Sequence, residues 1–113
     1  MRFLVSMIGD GTAMERMTPE EMAEFGARMK QLNDELEQLG VVVGGGRLAP
    51  SAEARTLRYG EDGKPVVTDG PFAETKEQTG GYWIFECDSI EEALDWVSKA
   101  PAAGRAMEVR QIL

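Results

Sequence analysis

An α+β domain, an antiparallel sheet with two helices on one face, is what the 113-residue sequence predicts. Three observations carry that prediction. Two helices announce their own starts with capping boxes, at Thr18-Pro19-Glu20-Glu21 and at Ser89-Ile90-Glu91-Glu92. Each stands between two short apolar runs of strand formers, so the order strand, helix, strand occurs twice. Between the halves, Arg55 to Tyr59 and Lys64 to Thr68 flank Gly60-Glu61-Asp62-Gly63, the pattern of a β-hairpin with a four-residue connection.

The first strand runs from Phe3 to Ile8, with Phe3, Val5 and Met7 on one face and Leu4 and Ile8 on the other, both faces partly covered. Gly9-Asp10-Gly11 breaks it, and Thr12 to Met17 forms a loop over its C-terminal end, where loops often shape a pocket. Thr18 is the N-cap of the first helix, Pro19 takes the first helical position and Glu21 completes the box. Met22, Phe25, Met29, Leu32, Leu36 and Leu39 recur at steps of three or four and form one apolar stripe, read as core filling and not as a cofactor box. Gly40 ends the helix where a left-handed residue is wanted.

Val41-Val42-Val43 opens a second strand that loses regularity at Gly44-Gly45-Gly46, glycines that permit a bulge or a close approach by another group. After the hairpin, Tyr82 to Cys87 is the most apolar strand in the chain and is expected in the middle of the sheet. Ile90, Ala93, Leu94 and Val97 give the second helix one apolar face until Pro101 stops it. Ala106 to Ile112 closes the chain as a strand with Glu108 and Arg110 on the face opposite Val109. This order is the split βαβ arrangement of ferredoxin-like folds, with a hairpin inserted, in one domain spanning 1–113. Trp83, Ile84 and Phe85 put apolar side chains on both faces of one strand, so a second copy of the chain is expected to cover the face the helices leave open.

Composition narrows the functions. With 12 basic and 20 acidic side chains the net charge is -8, which repels a phosphate backbone or an anionic lipid surface. Arg47, Arg55 and Arg58 are scattered, not gathered into a basic run, so neither nucleic acid nor membrane is expected as a partner. The one cysteine, Cys87, is read as a small buried residue on a strand, and a lone thiol suits a reducing compartment. No signal peptide or membrane span is expected, and the expected location is the cytoplasm. The complete absence of histidine removes Ser-His-Asp and Cys-His schemes and, with one cysteine, any plausible zinc site. Calcium-loop, phosphate-loop and dinucleotide fingerprints are missing too, so no cofactor is expected.

Chemistry is concentrated in Asp69-Gly70-Pro71-Phe72-Ala73-Glu74-Thr75-Lys76-Glu77. In one reading Asp69 accepts hydrogen bonds from main-chain N–H groups just ahead, and Gly70, pushed toward extended geometry by Pro71, completes a rigid turn. In the other, the turn presents Asp69 at a pocket mouth as a general base whose pKa rises because Phe72 shields it from water. Phe72 is then a core plug or a pocket wall, Lys76 a solvated charge or the attractor of an anionic group, and Glu74 its orienter. Arg47 serves the same anion or pairs with surface carboxylates, and Tyr82 is a half-buried strand residue whose phenol could line the pocket.

Val67 to Gln78 and Gly80 to Ile84 closely resemble the YCII-related family, specifically the branch named for its Asp-Gly-Pro-Phe motif. The likeness extends to Thr18 to Glu21, Gly44-Gly45, Ser89 to Leu94 and Glu108 to Arg110, which is nearly the whole chain. It implies a ferredoxin-like domain that pairs into a dimeric α/β barrel, a superfamily that includes lactone isomerases, small monooxygenases and dehydrochlorinases. Other branches carry a histidine and aspartate pair in a cleft, which this sequence cannot supply. The resemblance implies no settled activity; the first expectation is a small-molecule-binding protein of isomerase, lyase or oxygenase-like kind, with a pocket between the sheet and the first helix and near the Asp69 to Phe72 turn. Genes of the branch often lie beside those for extracytoplasmic-function sigma factors, which implies as the alternative a non-catalytic accessory or sensing module.

Overall fold

The computed structural model describes residues 1–10, 12, 15–73, 77–101 and 105–113. In chain order the elements are β1 (Arg2–Gly9), α1 (Pro19–Gln38), β2 (Val42–Arg47), a short 3-10 turn (Ser51–Glu53), β3 (Arg55–Tyr59), β4 (Pro65–Asp69), β5 (Gln78–Glu86), α2 (Ile90–Val97) and β6 (Ala106–Ile112).

Both helices begin where their local chemistry directs. The Thr18 hydroxyl accepts from the Glu21 N–H at 3.1 Å while the Thr18 N–H donates to the Glu21 carboxylate at 3.3 Å, closing the expected box. At α2 only half of the expected box forms. Ser89 Oγ accepts from the Glu92 N–H at 3.1 Å, but the Glu92 carboxylate accepts from the Asp88 N–H, one residue before the cap. At the end of α1, Gly40 takes φ +71°. Its N–H donates to Glu37 O, and the Val41 N–H donates to Leu36 O, so the chain leaves the helix through a Schellman motif.

Four strands form one sheet in the order β2-β5-β1-β6, every neighbouring pair antiparallel. This is the ferredoxin-like order, with β5 in the interior of the sheet as its apolar sequence requires. Phe3, Val5, Trp83 and Phe85 alternate onto one face and pack with Leu32 and Leu36 of α1 and Ala93 of α2 into a single core. The Trp83 and Phe85 rings lie 5.4 Å apart, nearly parallel. Leu4, Ile8 and Ile84 alternate onto the other face, where no helix lies, and remain half-buried.

The apolar stripe of α1 is longer in sequence than in the fold. Met22 and Leu39, at its two ends, are exposed, because the sheet covers only the middle of the helix. β3 and β4 form a separate two-stranded sheet, turning at Gly63 with φ +76°. Leu57, Tyr59, Val66 and Val67 stand exposed on it. The radius of gyration, 16.3 Å, exceeds the roughly 13 Å of a globular chain this long.

Among the described residues no helix is long and apolar enough to cross a membrane.

Candidate functional site

A cleft opens between α1 and the sheet because the strands facing the helix there carry almost no side chains. Gly44, Gly45 and Gly46 of β2 pair with Ile84, Trp83 and Tyr82 of β5, and Gly81 pairs with Arg47, so a glycine-rich floor runs under the stretch of helix from Phe25 to Glu37. Two of these glycines are required by geometry. Gly45 has φ +145°, and a Cβ there would collide with the Tyr82 carbonyl oxygen. At Gly81 a Cβ would come to 3.2 Å from Gly46 O and 3.5 Å from the Met7 sulfur. The β2–β5 register shifts between Val42 and Gly44, the bulge that the glycine run permits.

The cleft holds about 650 Å³. One wall is α1, contributing Phe25, Met29, Asn33 and Glu37, each four residues after the last and therefore on one face. The other is Met7, Trp83 and the glycine floor. Asn33 is tied across the gap, its side-chain oxygen accepting from Trp83 Nε1 at 2.9 Å. Arg47 sits at the outer rim on β2, in register with Gly81, and Tyr82 borders the cleft from β5 with its main chain, its side chain falling on the opposite face with Ile84.

Arg105, just before β6, closes the end nearest Phe25. Its guanidinium carbon lies 4.7 Å from the centre of the Phe25 ring, and its stem crosses β1 at Gly9, where a Cβ would stand 3.2 Å from Arg105 Cγ. Nε and Nη2 are buried with no hydrogen-bond partner among the described residues. Burial holds the guanidinium below its ordinary pKa. Elsewhere burial pushes the Cys87 thiol up, with the nearby Glu92 charge adding to the effect.

Of the residues read from sequence, Arg47 and Tyr82 line the cleft. Asp69 and Phe72 do not: the described cleft lies under α1, while the turn's hydrogen bonds bind it to the hairpin. The Gly70 N–H donates to Ala54 O at 2.7 Å, and Gly70 O accepts from Thr56 Oγ1 at 2.8 Å. Gly70 is not extended; its φ is +99°. The Asp69 side chain is 86% exposed, 3.3 Å from Arg55 Nε. Phe72, 72% exposed, plugs no core; Arg58 stacks on its ring at 4.7 Å and donates to its carbonyl at 2.8 Å. Glu74 and Lys76 lie outside the described residues. Sequence reasoning passed over Phe25, Asn33 and Arg105. The paired glycine runs were the available signal for the first two; Arg105 has none, since its place depends on how β6 meets Gly9. Among the described residues no group of three or more histidine, cysteine, aspartate or glutamate side chains is gathered to hold a metal ion.

Fold and cleft together define a ferredoxin-like α+β domain with a small-molecule-sized cavity under its first helix. The YCII-related domain model matches residues 1–113, and the chain belongs to that family. It is 45% identical over 69 residues to the uncharacterized protein R00369 of Rhizobium meliloti (strain 1021), a match that takes in 58% of this chain and 55% of the relative. The chain thus spans about half the length of the curated relative it matches. A solved structure, 5-chloro-2-hydroxyhydroquinone dehydrochlorinase (TftG) from Burkholderia phenoliruptrix AC1100 in complex with 2,5-dihydroxybenzoquinone, is similar with a TM-score of 0.55 and 21% identity. That similarity covers 100% of this chain and 94% of the other, and it shows the shared fold.

Proposed function

We propose that this chain binds a small organic molecule in the cleft between α1 and the sheet and acts on it there, as an isomerase, lyase or oxygenase-like enzyme. The observation that carries the reading is the cleft itself: about 650 Å³, in the size range of ligand sites, with Met7, Phe25, Met29 and Trp83 as its apolar lining and Asn33, Glu37, Arg47 and Arg105 as its polar lining. A dehydrochlorinase with the same fold supports the enzymatic part. Glu37 is the lining side chain able to move a proton, and Arg47 is placed to balance negative charge at the rim. Native mass spectrometry of the purified protein tests it. A retained ligand, lost when Met29→Trp fills the cleft, is the expected result; no retained mass and no stabilisation by any member of a diverse small-molecule panel would sink it. Asp69→Asn should leave binding unchanged, since Asp69 is outside the cleft.

A second reading, a non-catalytic accessory or sensing module associated with sigma-factor-dependent transcription regulation, is favoured by the hairpin. Tyr59, Val67 and Phe72 are 71%, 63% and 72% exposed there, surface of the kind that meets a protein partner. Val67→Asp would abolish partner capture in that case while ligand retention stayed intact.

Two copies pair, in the same proposal, through the sheet face that carries Leu4, Ile8 and Ile84. Apolar residues on a face without a helix support it.

A further inference from the structure

We infer that Arg105 is a carboxylate receptor: its Nε–Nη2 edge takes the two oxygens of a small organic acid whose apolar body lies against Phe25, Met29 and Trp83. This rests on the cleft being a ligand site and names the class of ligand it takes.

The two orphaned donors are the pair that matters. Nε–H and the adjacent Nη2–H point the same way from one edge of the guanidinium plane, a fork whose spacing matches a planar group with two acceptor oxygens. Both are buried and neither has a partner among the described residues. Buried donors are almost always satisfied, and leaving a charged group's donors unpaired is more costly than leaving neutral ones.

The fork is also held still. Phe25 fixes the guanidinium plane from one side, and Gly9 leaves room for the stem to lie close against β1. Both donors are closed to a water-sized group in the empty cleft, so the acid reaches them only as the side chains around them shift, and that movement is part of what binding costs.

The cleft's own carboxylate cannot serve. Glu37 stands twelve residues along α1 from Phe25, roughly 18 Å of helix rise away. The surroundings choose between acids. Met7, Met29 and Trp83 offer an apolar bed to a ring or short chain. A chain of net charge -8 admits one negative charge against one buried cation more readily than a polyanion.

Calorimetric titration with benzoate, phenyl phosphate and the neutral benzamide, on the wild type, Arg105→Lys and Arg105→Gln, tests the assignment. Benzoate should bind more tightly than benzamide by about tenfold or more. Arg105→Lys, which keeps the charge and loses the fork, should weaken benzoate by about tenfold and leave benzamide unchanged. Equal binding of benzoate and benzamide, undiminished benzoate binding in both variants, or a preference for phenyl phosphate would overturn it. Nile red separates this failure from that of the cleft. A dye bound by the wild type and excluded by Met29→Trp, with no carboxylate preference, leaves the cleft standing and removes Arg105 from the role. Loss of both dye and carboxylate binding removes the two readings together.

Discussion

Trp83 lies on the core face of β5 with one polar atom, its indole N–H, and Asn33 across the cleft is its partner at 2.9 Å. Removing the acceptor strands a buried donor. Asn33→Ala should therefore cost about 1–3 kcal/mol of unfolding free energy, read as a lower urea midpoint with an unchanged slope; an unaltered midpoint would mean the pair contributes nothing. At the sheet's edge the Glu86 carboxyl is held below its ordinary value of 4.5 by the Arg2 guanidinium at 3.1 Å and then by the N-terminal ammonium at 3.4 Å. A carboxylate lowered in the folded state stabilises above its unfolded pKa, and that contribution disappears as pH falls through the lowered value. Arg2→Gln should accordingly flatten the acid limb of the stability curve below about pH 4.5, measured by thermal unfolding from neutral to acid; an unchanged limb would assign the acid sensitivity elsewhere. Arg47 lines the described cleft because its strand position, opposite Gly81, is two residues from Gly45 on the helix side of β2. That Asp69 pairs with Arg55 was not readable in the same way, because the two face each other across β3 and β4 through the hairpin register.

Helix starts, helix stops and the hairpin turn depend on residues within four positions of one another, and the sequence carries them plainly: Thr18 with Glu21, Gly40 after Leu39, Gly63 after Asp62. The cleft depends on Gly45 meeting Trp83 and on Gly46 meeting Tyr82, across strands separated by the whole hairpin. Glycines in two separate stretches of one chain do not say in what register their strands will pair. Gly45→Ala tests the element directly. With φ +145° and the Tyr82 carbonyl in the way, the variant should lose about 1–3 kcal/mol and shift the β2–β5 amide resonances most. A neutral substitution would show that the bulge relaxes freely.

For the molecule as a whole, the strand order β2-β5-β1-β6 and the single core under two helices were legible from the doubled strand, helix, strand pattern. What covers the open face was legible only as a need. Leu4 and Ile84 lie opposite each other there, and a charge at this point would face any second copy. Leu4→Lys should convert a wild-type dimer into a monomer, by sedimentation, at unchanged far-ultraviolet circular dichroism. A wild type already monomeric at micromolar concentration would end the pairing proposal.

The β3–β4 hairpin lies between two strands that pair with each other without its help, so it is a long loop in the closure of the sheet. Residues 48–77 must be traversed before β2 can meet β5. Because closure entropy grows only with the logarithm of loop length, shortening that path about fourfold would recover only about 1 kcal/mol. The domain therefore carries its hairpin at small thermodynamic cost, and insertions or deletions between Ser51 and Phe72 are changes that the four-stranded sheet can tolerate.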